Sequence, residues 1–255
     1  MITVLSPAKN LDYDQIDNQL ATQPLFTKEP EKLIKKLRKL KPADISDLMH
    51  LSPKLSDLNY ERYKSFEFEE GKGELKQAAL AFNGEVYNGL KAELYTEDEL
   101  EYAQKHLRIL SGLYGILKPM DLIQPYRLEM GTRFEIDANT KNLYQFWTKK
   151  VTKEINSILK ETESTVLFNL ASQEYFKAVD VKSVKAPIVS AVFKEAKGDT
   201  YKPIMVFAKK ARGMMASFIL KNKIRTVEEA KSFDEEGYIY RSEFSTDLEL
   251  VFTRG

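Results

Sequence analysis

Cysteine is absent from the 255 residues, and histidine occurs only twice, as His50 and His106. The first absence excludes disulfides, thiolate metal sites, iron–sulfur clusters and cysteine nucleophiles. Two imidazoles without thiols do not build the usual zinc or soft-metal sets, so any metal site would have to be oxygen-rich. No metal and no cofactor is therefore expected. An excess of either charge is also missing: 39 Lys and Arg face 38 Asp and Glu, a formal net charge of +1. That balance does not advertise nucleic acid or a membrane, and an electropositive site must arise from local segregation of charge. No run approaches the ~18 apolar residues of a membrane-spanning helix. The opening MITVLSPAKN lacks the basic stretch and long apolar segment of a secretion signal. The expectation is a cytoplasmic protein with no membrane association and no disulfide partner.

The hydrophobic content of 43% and charged content of 30% suit a globular chain, and this length buries a sizeable core without covalent staples. Residues Ile2–Leu5 read as a buried strand broken by Pro7. Residues 10–27 are polar and irregular. Over 28–40, Leu33, Ile34, Leu37 and Leu40 share a helical face, with Glu29 and Glu31 early and lysines late, as the helix dipole favours. Helical material continues from Asp44 to Tyr63, interrupted near Leu51-Ser52-Pro53. Ala78–Phe82 is either a buried strand or a helix end. Thr96–Leu110 has the strongest helical pattern: Thr96 and Glu99 have capping-box spacing, and Leu100, Ala103, Leu107 and Leu110 form its apolar face. A further amphipathic helix is predicted over 142–160, and a strand over Thr165–Leu170. Pro187–Lys194 and Lys202–Ala208 read as a hairpin turning at Gly198-Asp199. Lys209–Lys221 is helical, and Gly237–Tyr240 and Leu248–Phe252 are closing strands. No repeat, low-complexity tract or linker divides the chain. The pattern predicts an α+β fold in one compact domain over 1–255, with a mixed sheet, a β-hairpin and surrounding helices.

Four places have more polar punctuation than a core requires. Ser6-Pro7-Ala8-Lys9-Asn10 follows the first strand, where side chains face a crevice in many folds; Ser6 can donate a hydrogen bond and Lys9 can hold a phosphate, or the loop is simply capped. Phe82 to Leu90, with Asn83, Gly84, Tyr87 and Gly89, is a turn into a short helix or a pocket wall. The block from Leu110 to Arg133 places Gly112 and Gly115 between apolar residues after a predicted helix. It can be a helix-hairpin-helix-like element whose backbone amides approach a phosphate, aided by Lys118, Arg127 and Arg133. It can equally be a helix end at Gly112 with Pro119 as a stop. The fourth place is a pair of predicted helix starts. Asn169 to Tyr175, with Ser172 and Glu174, follows a strand. Lys209, Lys210 and Arg212 open the other helix, where three cations oppose the dipole and invite an anion.

Taken together, LSPAKN, FNGEVYNGL, ILSGLYGILKPMDLIQPYRLEMGTR, NLASQEYFKAV and KKARGMMASFI resemble the peroxide stress protein YaaA family in order and spacing, from residue 1 to about 252. The resemblance implies a cytosolic bacterial protein of the peroxide-stress response that lowers intracellular unincorporated iron and limits hydroxyl-radical damage. It also implies DNA binding through a helix-hairpin-helix-like element, which falls at Leu110–Ile123 here, and a positively charged cleft. The paucity of iron ligands favours DNA protection or an indirect effect on iron over direct storage.

Two functional hypotheses follow. In the first, Lys9, Gly112, Gly115, Lys118, Arg127, Arg133, Lys209, Lys210 and Arg212 form a binding surface for double-stranded DNA or another phosphate-bearing ligand. In the second, a small anionic or nucleotide-like substrate is processed among Ser6, Asn83, Tyr87, Gln124, Asn169, Ser172 and Glu174, with Glu174 as the acid–base candidate. A scaffold without ligand chemistry would instead scatter these residues.

Overall fold

The computed structural model describes residues 1–14 and 20–255. Residues 15–19 of the irregular 10–27 stretch lie outside the described residues.

Along the chain, β1 (Ile2–Leu5) is followed by β2 (Asn10–Leu11), α1 (Lys28–Leu37), α2 (Pro42–Met49) and α3 (Pro53–Ser65). Next come β3 (Lys76–Gln77), α4 (Ala78–Ala81), β4 (Phe82–Asn83), α5 (Glu85–Leu90) and α6 (Glu97–His106). The middle holds β5 (Leu107–Ser111), β6 (Gly115–Leu117), β7 (Leu122–Ile123), α7 (Leu143–Glu161), β8 (Leu167–Asn169) and α8 (Gln173–Phe176). The last part is β9 (Ile188–Lys197), β10 (Thr200–Lys202), α9 (Met205–Lys221), α10 (Val227–Ala230), β11 (Ile239–Tyr240) and β12 (Glu249–Arg254).

Local chemistry accounts for many of these boundaries. Helix α1 buries Pro30, Leu33, Ile34 and Leu37, as its spacing requires. The capping box of α6 forms: Thr96 Oγ1 accepts from Glu99 N–H, and Glu99 Oε2 accepts from Thr96 N–H at 2.8 Å. Helices α2 and α3 are separated by three residues. His50 adopts the left-handed region at φ 53°, and Ser52 Oγ then caps α3 ahead of Pro53.

The main sheet has the order β11-β12-β9-β8-β1-β5-β6, with β10 also paired to β9. Strands β12, β9, β8, β1 and β5 run parallel. Strands β11, β6 and β10 are antiparallel to their neighbours, so the sheet is mixed. All four residues of β1 are buried although their side chains alternate between faces, so both faces of the sheet are covered. On one side α9 packs on β9 and β1, and against α5 and α6.

Three expectations are corrected. The helix predicted to reach Leu110 ends at His106, and Leu107–Ser111 is strand β5. Its five residues are all buried, and pairing Leu107, Arg108 and Ile109 with Thr3, Val4 and Leu5 of β1 outweighs the helical spacing of the leucines. The helix-hairpin-helix-like element expected at Leu110–Ile123 is consequently a β-hairpin of β5 and β6. Finally, the second arm of the predicted 187–208 hairpin is only Thr200–Lys202, and α9 already begins at Met205. Lys209, Lys210 and Arg212 therefore sit in the second and third turns, past the amides that a helix start exposes.

Candidate functional site

In a parallel sheet, the natural crevice lies where successive strands leave in opposite directions. Here that point is the carboxyl end of β1 and β8. The chain leaves β1 to reach β5 on one side, and leaves β8 to reach β9 on the other. Ser6 follows β1 and Ser172 follows β8, and the two meet although 166 residues separate them. Ser6 Oγ accepts the Ser172 backbone N–H at 2.8 Å and lies 3.2 Å from Ser172 Oγ. The hydroxyl of Tyr87 donates to the Ser6 carbonyl at 3.0 Å. Burial pushes the phenols of Tyr87, Tyr126 and Tyr175 well up, so they remain protonated hydrogen-bonding groups beneath the crevice. Tyr126 in turn shares a 2.6 Å hydrogen bond with Ser111 Oγ at the end of β5.

Asn169 fixes the exit from β8. Its Oδ1 accepts from Ala171 N–H at 3.0 Å and its Nδ2 donates to Ser190 Oγ at 3.2 Å. Both ends of the amide thus shape the loop. Glu174 Oε1 accepts from Gly131 N–H at 3.0 Å, and its carbonyl accepts from Tyr144 OH at 2.9 Å.

This links the β8 loop to the segment 127–133, where the cations gather. Glu129 receives Lys9 Nζ on one oxygen at 2.7 Å and Arg127 Nη2 on the other at 3.0 Å. Lys9 is 59% exposed, whereas Arg127 and Glu129 are only 12% and 18% exposed. A groove of about 930 Å³ opens beside them, lined by Glu129, Gly131, Thr132, Arg133 and Glu174 on one wall. The other wall is α2 and the turn after it, through Asp44, Asp47, Leu48, Met49 and His50. Arg133 makes no ion pair or side-chain hydrogen bond among the described residues.

The remaining candidates are placed elsewhere. Gly112 and Gly115 are buried: a β-carbon at Gly112 would overlap the Leu128 carbonyl, and one at Gly115, φ +73°, would lie 2.5 Å from the Trp147 ring. The Trp147 indole donates to the Gly112 carbonyl at 2.9 Å. These glycines let the hairpin pass under the 127–133 segment. Lys118 follows β6, which runs opposite to β5 and carries it towards the far edge of the sheet. Its backbone N–H donates to the buried Asp121 at 2.8 Å. Asn83 and Tyr87 line a neighbouring cavity of about 450 Å³ with Asp12 and Lys91. Gln124 clamps Glu67 by two backbone hydrogen bonds at 2.8 and 2.7 Å. On α9, Lys210 pairs with Glu236, which also meets Arg254. Arg212 has no charged partner among the described residues, and burial lowers its pKa.

Lys9, Arg127 and Arg133 thus come together near Ser6, Ser172 and Glu174. Sequence reasoning missed His50, Asp44, Asp47 and Glu129. The signal for the α2–α3 wall was present in Ser52-Pro53, a cap followed by proline at the first helical position.

A family model described as "Peroxide stress protein YaaA" matches residues 1–244. The chain is 51% identical over 258 residues to a UPF0246 protein of Shewanella woodyi, covering 100% of this chain and 99% of the relative. It is 49% identical over 255 residues to a UPF0246 protein of Saccharophagus degradans, covering 100% and 99%. A UPF0246 protein of Aliivibrio fischeri is also 49% identical over 255 residues, with 100% and 98% covered.

Proposed function

The chain belongs to the peroxide stress protein YaaA family, and from that premise we propose that it protects DNA in the cytoplasm during peroxide stress by binding it in the groove along 127–133. The observation that supports this reading is that Lys9 and Arg127 meet on Glu129, which lines an open groove with Arg133 between the 127–133 segment and α2. Phosphate contacts supply most of such binding, and they do not need a positive total charge if cations are gathered locally. Helix pairs joined by a short turn are a recurrent nucleic-acid element, and α2–α3 is such a pair, with α2 and the turn after it on the groove. Limiting the damage caused by unincorporated iron then follows from shielding the DNA rather than from storing the metal.

The test is a comparison of two multiple variants by fluorescence anisotropy with a labelled DNA duplex. Lys9→Ala/Arg133→Ala is expected to weaken binding at least tenfold, because two phosphate contacts are lost. Lys209→Ala/Lys210→Ala/Arg212→Ala is expected to bind nearly as the parent does. The reverse ranking would move the interface to α9.

A second reading has its own support. The crevice at the switch point between β1 and β8 is the place where parallel sheets take small ligands. Glu174, with one oxygen held by Gly131, is the acid–base candidate for a nucleotide-like substrate there. Thermal stabilisation by a nucleotide, with none by duplex DNA, would favour this reading.

A further inference from the structure

The opposite edge of the sheet, where β1, β5 and β8 begin, holds a second cluster of charge that the groove does not use. A pocket of about 340 Å³ opens there, lined by Gln104, Lys105, His106, Arg108, Thr162 and Arg225 together with Ile158 and Glu161. Its volume is at the lower end of small-ligand pockets. Three of its side chains are permanently cationic, and one is a buried imidazole. Arg108 is buried, and its Nη1 donates only to backbone carbonyls, those of Gln104 at 2.8 Å and Leu107 at 2.7 Å. The side chains of Lys105 and Arg225 make no hydrogen bond or ion pair among the described residues.

Four carboxylates, Glu154, Glu161, Asp121 and Glu229, lie around these cations, and none forms an ion pair with Lys105, Arg108 or Arg225 among the described residues. Glu161 accepts from Ser157 Oγ at 2.8 Å. Glu229 caps α10 through the Thr226 and Arg225 backbone N–H groups and the Thr226 hydroxyl. Glu154 faces Arg108 but forms no ion pair with it, and burial raises its pKa. Nδ1 of His106 lies 3.2 Å from the Met1 carbonyl and donates to it, which turns Nε2 to the other side of the ring. The ring stacks on Tyr102 at 4.2 Å, and Lys223 lies over the outer ring. The positive groups that act on His106 are the Met1 α-amino group, Arg225 and Arg108. Burial, with these groups, holds its pKa low; Glu154, Asp121 and Glu161 act on Arg108 from a distance, and none forms an ion pair with it among the described residues.

We infer that this pocket is a binding site for a small phosphate-bearing ligand, held by Arg108 and Arg225 with Lys105 at its rim and the His106 ring as a neighbour. The site is separate from the groove on 127–133 and does not depend on it. Guanidinium forks at one small pocket suit a tetrahedral oxyanion, and the opening is too small for a duplex.

The two histidines make the test direct, because His50 lines the groove and His106 lines this pocket. The probes are inorganic phosphate and pyrophosphate, titrated into the full chain with the imidazole resonances followed by NMR. His106 is expected to shift saturably and to titrate at higher pH when the anion is bound, while His50 stays unmoved. Arg225→Ala is expected to weaken saturation about tenfold, the loss of one charge-assisted contact. Lys105→Ala, at an exposed helical position, is expected to weaken it less and serves as the folding control. A His106 resonance that is unmoved by both anions, or that saturates equally in the parent and in Arg225→Ala, overturns the proposal. A His106 response to duplex DNA but to neither anion overturns it as well.

Discussion

Replacing Glu129 by glutamine should strengthen DNA binding, an outcome few alternative accounts of this groove would expect. Glu129 holds Lys9 and Arg127 at 2.7 and 3.0 Å and places one negative charge between them. A phosphate taken by the outer side of either cation would lie roughly 7 Å from that carboxylate, a repulsion of about 0.6 kcal/mol at the dielectric of water and about 1.2 kcal/mol at half that value. Glu129→Gln removes the repulsion and keeps an acceptor for Arg127, so the affinity for a single engaged phosphate should rise about 3- to 8-fold. Lys9 is 59% exposed, so its pair contributes ~0–1 kcal/mol to the fold; Arg127 and Glu129 are mostly buried, so losing their pair costs more and thermal unfolding of the variant is measured beside its affinity. Fluorescence anisotropy with one duplex, repeated at several salt concentrations, measures both the gain and its screening. Unchanged or weaker binding by a variant that unfolds at the parental temperature would refute the assignment of Lys9 and Arg127 to the phosphate path.

Other consequences follow from the same geometry. Gly213→Ala places a methyl against the Val86 carbonyl where α9 crosses α5; overpacking, less the gain in helix propensity, should cost about 2 kcal/mol in urea unfolding. Ser6→Ala leaves the Ser172 N–H without its 2.8 Å acceptor, which should cost about 1–3 kcal/mol and loosen the joint between β1 and β8, visible as faster amide exchange at Ser172. The pKa of His106 is held below its ordinary value of 6.5, chiefly by burial. The unfolded chain therefore takes up the proton first as the pH falls below about 6.5, so stability should fall from there until the folded imidazole also titrates. His106→Gln should flatten that slope in denaturation curves taken across the same range, and a slope that persists in the variant would assign it to another group.

Much of the fold was legible because its signals are local. Ile2–Leu5, the α1 stripe and the Thr96–Glu99 box each carry their structure within a few residues. What stayed hidden depends on distant partners. Leu107–Ser111 continues the helical spacing of α6, and only its pairing with Thr3, Val4 and Leu5 makes it a strand. The same pairing converts the Gly112–Gly115 element from a phosphate-binding hairpin into a packed β-turn under Trp147. In the candidate site, Lys9 and Ser6 were visible as loop residues after a strand, and Ser172 and Glu174 as a helix start after another. Their convergence was not visible, because it depends on strand order. Glu129 was hidden for a related reason, since a carboxylate between two arginine-bearing stretches reads as a solvated charge until Lys9 arrives from 120 residues away. The grouping of Lys209, Lys210 and Arg212 with these residues rested on a helix start that lies at Met205 instead.

The most direct test of the central claim is the salt dependence of duplex binding by the parent and by Lys9→Ala/Arg127→Ala/Arg133→Ala. Each phosphate contact contributes about 0.9 to the slope of log affinity against log salt. The account predicts that the triple variant loses between about 2 and 3 from the magnitude of that slope, together with most of its affinity at moderate salt. A folded triple variant with the parental slope and affinity would contradict it.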